Sequence, residues 1–397
     1  MKYIFFLVLV LVLLSCIAKA HNSLRDTSFI DRALDNNLTR VSLVTTPLFL
    51  QGLKMSHEKI DFSNFRDIHY PNFHTSIDNY TQYFPLALTF GLKLSGVESK
   101  SSWKRLLAAT FFVMLIDNGT VKIMKTLIHA KRPDFTGNNS FPSGHTAQAF
   151  MSAHMFVKEY AMDNYFYSTL AYLMATFTGT MRVMNNRHWM SDVLAGASIG
   201  LFSTELAYFC SDLLFKYKEE KYDFKGRNPF FIGLQTSYNL SFNEYHNLSE
   251  NRSIKFLNGA STGIHTGYFY NKYLGSGIYA DYSNYRYFDP NAWEKKDISF
   301  YYIGANQYFS LPLHSRIILA SHLGLGYTYS EHYKRFPIKI SRQENLRYEV
   351  GASLSLLLTS HTAIRFFASY TNTKLEIENN FYPFQTLNFG NTIAITF

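Results

Sequence analysis

Three short stretches of the sequence read KTLIHAKRP (125–133), PSGH (142–145) and RVMNNRHWMSD (182–192). They fall in a region where apolar residues recur at helical spacing, which predicts an all-α fold for this part of the chain. Together they supply three cations, two histidines and one carboxylate. That inventory suits a site that holds a phosphoryl group, attacks it, protonates its leaving group and orients the nucleophile.

The first stretch predicts a basic helix end. Lys125 and Arg132 are seven residues apart, about two helical turns, so both side chains can face one pocket. Pro133 is expected to end the helix. Arginine offers a planar fork that matches phosphate, and lysine offers a mobile point charge. Taken alone, the stretch also fits a basic helix end that complements the helix dipole.

The second stretch predicts the start of a helix. Pro142 and Ser143 suit a helix N-terminus, and Gly144 lets the backbone approach an anion closely. Free N–H groups at the helix start add donors. His145 is then placed to give a proton to a departing oxygen. The alternative is a helix cap followed by a packed histidine.

The third stretch predicts an oriented histidine. Asp192 lies four residues after His188, so in a helix its carboxylate can accept the Nδ1–H and leave Nε2 free to attack. Arg182 adds the third cation. Taken alone, this stretch also fits a surface salt bridge.

The order and spacing of these residues closely resemble the superfamily of type 2 phosphatidic acid phosphatases and vanadium haloperoxidases. That family has Lys-x6-Arg-Pro, then Pro-Ser-Gly-His, then Ser-Arg-x5-His-x3-Asp. The matching positions here are Lys125, Arg132, Pro133, Pro142, Ser143, Gly144, His145, Arg182, His188 and Asp192. One position departs, because Met181 stands where the family has the serine. The resemblance covers about residues 80–215.

The resemblance implies a role for each of these side chains. His188 would attack phosphorus to give a phosphohistidine, Asp192 would hold His188, and His145 would protonate the leaving group and then activate water. The phosphate oxygens would be bound by Lys125, Arg132 and Arg182, with help from the Ser143 hydroxyl and the Gly144 N–H. The implied phosphatase reaction requires no metal or other cofactor. Met181 in place of the family serine puts the fine geometry of the site or the reaction rate in question, but not the type of reaction.

The apolar pattern predicts an α-helical half followed by a β half. The predicted helices cover 83–97, 106–128, 146–160, 165–184 and 191–215. Residues 216–228 form a charged linker, and the apolar period then becomes two. The predicted strands cover 229–241, 256–270, 273–287, 297–310, 314–331, 345–358, 361–375 and 384–397. Residues 21–80 carry no pattern clear enough for a prediction.

The strand region predicts an eight-stranded antiparallel β-barrel of the outer-membrane type. Apolar residues alternate with small or polar ones, as in strands between lipid and a barrel interior, and aromatic residues cluster near segment ends. The sequence ends on Phe397 within the last predicted strand, which resembles the ending of bacterial outer-membrane barrels. A soluble β-sandwich is the alternative. Because side chains fill the interior of eight strands, we expect an anchor and not a pore.

The first 20 residues read as a secretory signal, with Lys2, an apolar run over 3–14 and a small-x-small site ending at Ala20. A lipoprotein signal that leaves Cys16 lipidated is the alternative. Once the signal is removed, Cys210 is the one cysteine left and we expect it to be a buried thiol. The predicted domains are therefore the signal at 1–20, the helical domain at 21–220 and the barrel at 221–397.

Charge and helix composition bear on partners and location. The net charge of +9 favours anionic partners, and no basic run is typical of nucleic-acid binding, so a phosphorylated lipid or an anionic membrane fits better. A barrel bound for the outer membrane must first cross the inner one. The predicted helices carry charges and hold no uninterrupted span of about 20 apolar residues. We therefore expect a catalytic domain in the periplasm of a Gram-negative bacterium. An inner-membrane enzyme with several spans is the alternative.

Three functions follow as hypotheses. The first is a phosphatase for a lipid-linked phosphate such as lipid A, phosphatidic acid, phosphatidylglycerophosphate or an isoprenyl pyrophosphate, with a soluble phosphomonoester as the second choice of substrate. The next is a vanadate-dependent haloperoxidase that uses the same pocket. The last is a barrel protein whose helical domain only binds an anion or a partner. The oligomeric state has no signature in the sequence.

Overall fold

The computed structural model describes residues 34–58, 66, 70–161, 165–217, 228–247, 252–289, 294–330, 343–358, 361–377 and 380–397. The predicted signal, including Cys16, and most of the predicted linker lie outside these residues. The described part is a helical region followed by an antiparallel barrel, so the predicted fold class is confirmed.

The helical region contains the five predicted helices and two that the sequence did not predict. The helices are α1 (Asn37–Glu58), α2 (Asp78–Thr81), α3 (Phe84–Leu94), α4 (Trp103–Ile128), α5 (Gly144–Phe156), α6 (Tyr165–Met184) and α7 (Met190–Phe215). A π-helical turn, Val157–Ala161, extends α5. The unpredicted helices are the short α2 and α1, which carries Pro47 in its interior.

The helix α4 ends at the predicted residue, but the stretch after it differs from the prediction. The helix stops at Ile128, and His129 adopts the left-handed backbone conformation with φ of 48°. Arg132 therefore lies in the loop after the helix, and Pro133 does not end it. Lys125 remains in the last turn, so the two cations come from different elements.

The central helix of this region is α7. A Cβ placed on Gly200 would lie 2.2 Å from the carbonyl oxygen of Ala147, and one on Gly196 would lie 2.5 Å from that of Ser143. The backbones of α5 and α7 are therefore in direct contact, which fixes the start of α5 against the start of α7.

Two of the helices are long and apolar enough to cross a membrane, by length and composition alone. In α7, 72% of the apolar window is buried, which fits a core helix, whereas the value for α4 is 22%. The outward face of α4 is correspondingly apolar, with exposed side chains at Leu107, Phe111, Leu115, Ile123 and Leu127.

Ion pairs connect the helices inside this region. Glu205 of α7 accepts hydrogen bonds from Lys158 at 2.8 and 2.9 Å and pairs with His154 of α5 at 3.0 Å. Arg105 of α4 binds Asp212 of α7 at 2.6 Å. Because the charges in these pairs are buried and have partners, the contacts hold the helices in one arrangement.

The β half is a closed barrel. Its segments are β1 (Phe230–Ser241), β2 (Glu244–Asn247), β3 (Arg252–Phe269), β4 (Leu274–Asp289), β5 (Glu294–Pro312), β6 (Ile317–Ser330), β7 (Gln343–Leu357), β8 (Thr362–Ile377) and β9 (Asn380–Thr396). Each segment pairs antiparallel with its neighbours, and β1 closes the barrel by pairing with both β3 and β9. Since β2 continues β1 along β3, the nine segments make the eight predicted strands.

The barrel interior is polar and aromatic, and its outer face is apolar. Arg347 binds Glu349 at 3.1 Å inside the barrel, and His265 pairs with Asp281 at 2.9 Å. An aromatic cluster that includes Phe300 is also buried. The outward side chains are exposed and apolar, among them Ile232, Leu234, Ile264, Ile278, Ile303, Leu323 and Leu325. This is the arrangement that a membrane barrel requires.

Candidate active site

The three stretches meet at one end of the helical region. The last turn of α4, the loop after it, the first turn of α5, the C-terminal turn of α6 and the first turn of α7 all contribute. Two hydrogen bonds tie the loop to the start of α7. Ser143 N donates to the carbonyl oxygen of Asp192 at 3.0 Å, and Trp189 Nε1 donates to that of Lys131 at 2.8 Å.

His188 and Asp192 form a buried pair. His188 Nδ1 lies 3.3 Å from Asp192 Oδ2, although His188 precedes α7 and is not inside it. The same oxygen accepts hydrogen bonds from Ser140 Oγ and, at 2.9 Å, from Trp189 N. Burial lowers the pKa of His188, opposed by the adjacent Asp192 carboxylate. A neutral imidazole held through Nδ1 has its Nε2 free as a nucleophile.

Arg182 is held on the opposite side by a carboxylate from a distant segment. Its Nη1 lies 2.6 Å from Oδ2 of Asp78, which is itself 1% exposed. Asn185 Nδ2 donates to the other oxygen of Asp78 at 3.2 Å. Within the described residues, the buried Nε of Arg182 has no hydrogen-bond partner. A buried N–H without an acceptor is costly, and a phosphate oxygen would satisfy it.

Lys125 and Arg132 line a cavity of about 810 Å³ between α4 and the loop that follows it. Arg132 Nε donates to Asn139 Oδ1 at 2.8 Å, which fixes the guanidinium at the cavity wall. Burial and the nearby Arg182 lower the pKa of Arg132. The cations therefore repel one another when the site is empty, and an anion between them would relieve that repulsion.

The start of α5 provides a cap and free amides. The Ser143 hydroxyl accepts from Thr146 N at 3.4 Å and from Thr146 Oγ1 at 2.9 Å, and Ser143 is fully buried. This side chain thus acts as the helix cap, a structural role next to the phosphate contact that the resemblance implies. The amides of Gly144 and His145, in the first turn of the helix, lack intrahelical acceptors and are available to an anion.

His145 is oriented by a residue that the sequence did not single out. Its Nε2 lies 2.9 Å from Asn79 Oδ1. Burial lowers the pKa of His145 to about 4, and the positive charges of Arg182 and Lys125 act in the same direction. The ring is therefore neutral at pH 7 when the site is empty.

Sequence reasoning missed three supporting residues. Asp78 and Asn79 lie on α2, in the segment without a clear pattern, and nothing near them marks a contact with residues 66 to 107 positions away. Ser140 stands three residues before Ser143, so its proximity to the second stretch was a usable signal. Among the described residues, no group of three or more His, Cys, Asp and Glu side chains could hold a metal ion.

Comparison with known proteins places the helical half in a family. Residues 106–215 match the PAP2 superfamily. The segment that contains the site is thus a PAP2 superfamily domain, as its three stretches predicted. The chain is also 43% identical over 146 residues to a lipid A 1-phosphatase of Porphyromonas gingivalis. That match spans 36% of this chain and 33% of the relative, about a third of each.

Solved structures resemble each half. The crystal structure of Aquifex aeolicus LpxE is 20% identical, with a TM-score of 0.29, over 39% of this chain and 94% of that one. The PAP2 type phosphatidylglycerolphosphate phosphatase of Bacillus subtilis is 21% identical, with a TM-score of 0.34, over 44% and 98%. Neisserial surface protein A is 18% identical, with a TM-score of 0.30, over 42% and 97%.

Proposed function

We propose that the protein is an outer-membrane phosphatase that hydrolyses a lipid-linked phosphate through a phosphohistidine. The observation that carries this proposal is the buried His188–Asp192 pair, which shares one site with His145, Arg182, Lys125 and Arg132. The match to a PAP2 superfamily domain and the similarity to a lipid A 1-phosphatase support the same reaction.

In the proposed reaction, Nε2 of His188 attacks phosphorus and the bond from phosphorus to the leaving oxygen breaks. Asp192 stabilises the imidazolium that forms, and His145 gives the leaving oxygen its proton. Neutral His145 then takes a proton from water, which attacks phosphorus and breaks the bond to His188. Arg182 and its partner cations stabilise the charge on the phosphoryl oxygens in both steps.

The surroundings of the cavity favour a lipid over a soluble ester. Phe135, in the loop that forms one wall, is 85% exposed with a left-handed backbone, φ of 58°. The other wall is formed by α4, whose Leu127 and Ile123 are 72% and 60% exposed outside the cavity lining. Exposed apolar side chains on the two elements that line a cationic cavity suit a phosphorylated headgroup whose acyl chains stay outside. Lipid A, phosphatidic acid, phosphatidylglycerophosphate and an isoprenyl pyrophosphate all meet this description.

The proposed location follows from the barrel, whose polar interior and apolar outer face are those of an outer-membrane protein. A catalytic domain free in the periplasm, as the sequence suggested, stays a prediction. The contacts between the two halves favour a helical region that lies beside the barrel within the membrane.

The test is phosphate release by the purified full chain in detergent, measured on a panel of phospholipid phosphates, lipid A and p-nitrophenyl phosphate, beside a His188→Ala control. We expect release without added vanadate and preference for a lipid. Halide oxidation that requires vanadate, with no phosphate release, would instead identify a haloperoxidase. Folded protein that releases phosphate from no ester would leave a binding function.

A further inference from the structure

Helix α1 lies against the outer wall of the barrel. Gln51 Oε1 accepts hydrogen bonds from Thr236 Oγ1 at 2.8 Å and from Asn391 Nδ2 at 3.2 Å. Thr236 and Asn391 point outward, because their neighbours Gln235 and Thr392 bond to each other inside the barrel. Both outward side chains are nevertheless buried, at 4% exposure each, since α1 covers them.

The direction of α1 along this wall is fixed at both ends. Just before the helix, Asp35 binds Arg316 at 2.8 Å, and Arg316 belongs to the short turn between β5 and β6. Near the other end, Lys54 lies 5.3 Å from the ring centroid of Tyr238, and Met55 packs in one cluster with Tyr238 and Tyr282. The helix therefore rises from the rim with this turn toward the opposite rim.

The active site lies at the upper end of α1. Gly52 is so close to the first turn of α7 that a Cβ there would lie 2.8 Å from the carbonyl oxygen of Ser191. Leu194, one turn further, packs in the same cluster as Leu48 and Met55. His188 and Asp192 flank this contact, so the site is far from the rim that binds Asp35.

Aromatic residues on the outer face mark the membrane level of this contact. Exposed rings near the β3–β4 and β5–β6 turns form one girdle: Tyr268, Tyr270, Tyr273 and Phe309. Toward the other rim, the ring of Tyr282 lies 5.2 Å from that of Tyr301, which lies 5.9 Å from that of Tyr329. Since Tyr282 also packs with Met55 and Leu194, the site end of the helical region lies at the second girdle.

The lengths of the connections orient the barrel. At one rim all three connections, 270–273, 313–316 and 358–361, have four residues. The opposite rim has the one long connection, the 12 residues of 331–342, beside short ones at 248–251, 290–293 and 378–379. In outer-membrane barrels, short turns face the periplasm and longer loops face outward. The second girdle is then the outer one, at the level of the outer-leaflet headgroups.

We infer that the active site opens at the external face of the outer membrane and takes a phosphorylated lipid from the outer leaflet. The helical region lies beside the barrel within the membrane, and α4 turns its apolar face to lipid. The orientation follows from the contacts and the connection lengths, and the substrate part rests on the proposed phosphatase function. The cavity between α4 and the loop after it would then receive a headgroup sideways, without extraction of the lipid.

The test is labelling of single cysteines on intact cells with a membrane-impermeant maleimide, in a Cys210→Ser background. Asn138→Cys lies beside the cavity, and Glu98→Cys lies before α4, at the opposite end of that helix. Lys374→Cys, near the outer rim of β8, reports the barrel's own orientation. All three positions are exposed. We expect Asn138→Cys and Lys374→Cys to react on intact cells, and Glu98→Cys only after the outer membrane is permeabilised.

Labelling at Lys374→Cys with protection at Asn138→Cys would overturn the inference, because the site would then face the periplasm. Protection at both positions would also overturn the inference, because the barrel would then have the reverse orientation or lie in another membrane. Labelling does not depend on catalysis, so it tests the orientation even if the protein releases no phosphate. A failed release assay with the expected labelling would therefore reject the phosphatase and keep the orientation.

Discussion

The two histidines have different partners, and this difference separates their roles. His188 is buried and paired with the Asp192 carboxylate. His145 has its side-chain hydrogen bond with the amide of Asn79, among the described residues. We expect His188→Ala to lower kcat/KM at least about 10⁴-fold on every ester, because the nucleophile is gone. His145→Ala should still be phosphorylated by p-nitrophenyl phosphate, since that leaving group needs no proton. Base-stable phosphohistidine should then accumulate in this variant.

A quenched-flow burst of p-nitrophenol and acid-labile phosphate on the protein would measure this step. The double variant His145→Ala/His188→Ala is the control and should show neither signal. A burst that survives in His188→Ala would move the nucleophile to another residue.

The site charges predict a pH response. The pKa of His145 is about 4 because of burial and the charges of Arg182 and Lys125. A bound phosphate adds negative charge nearby, favours the imidazolium and raises this pKa, so the ring can act as an acid only with an anion in the site. NMR of histidine-labelled protein, assigned by difference from His145→Gln, should show the His145 titration move to higher pH when inorganic phosphate is added. An unchanged titration at saturating phosphate would contradict an anion site beside His145.

At the scale of elements, prediction succeeded where a periodic pattern existed. The apolar spacing placed α6 at its observed bounds, and alternation located all eight strands to within a few residues. It failed for α1, whose interior carries Pro47 and whose buried side chains include the polar Thr45 and Gln51. It also named Pro133 as the end of α4, since sequence spacing cannot reveal that His129 turns left-handed. Asn79 was missed because its contact with His145 spans 66 positions.

The contact between α5 and α7 predicts a sharp steric effect. Gly200→Ala would place a Cβ 2.2 Å from the carbonyl oxygen of Ala147, so the helices must separate. We expect a loss of about 1–3 kcal/mol in stability, together with lower activity because α7 carries Asp192. The matched control is Gly91→Ala on α3, which meets no atom within 4 Å and should be neutral or slightly stabilising. Thermal unfolding of both variants and phosphate release would measure this, and equal effects would reject the close contact.

The cavity wall predicts a change in substrate preference. If Phe135 contacts the acyl part of the substrate, Phe135→Ser should lower kcat/KM for a phospholipid phosphate about 10-fold or more, the worth of one buried aromatic side chain. Hydrolysis of p-nitrophenyl phosphate should not change. Phe111→Ser is the matched control, because Phe111 is also exposed but lies about four helical turns from Lys125. A parallel loss on both substrates would mean that Phe135 supports the loop and not the lipid.

At the scale of the whole molecule, the barrel wall serves as a support for the catalytic region. Ala260 of β3 is fully buried although it points outward, because it packs with Leu48, Met55 and Leu194. Ala260→Trp has no room there and should push α1 and α7 off the wall. Ala305 of β5 also points outward but is exposed, so Ala305→Trp should be tolerated on a lipid-facing surface.

We therefore expect Ala260→Trp to lower the thermal midpoint of the helical region and its resistance to proteolysis in detergent, and Ala305→Trp to change neither. Both barrels should keep their folded mobility on unheated gels, since neither substitution enters the interior. Because α7 carries Asp192 at the same contact, Ala260→Trp should also lower phosphate release. Equal behaviour of the two variants would mean that the helical region does not depend on the wall. The labelling pattern of Asn138→Cys would then lose its structural basis.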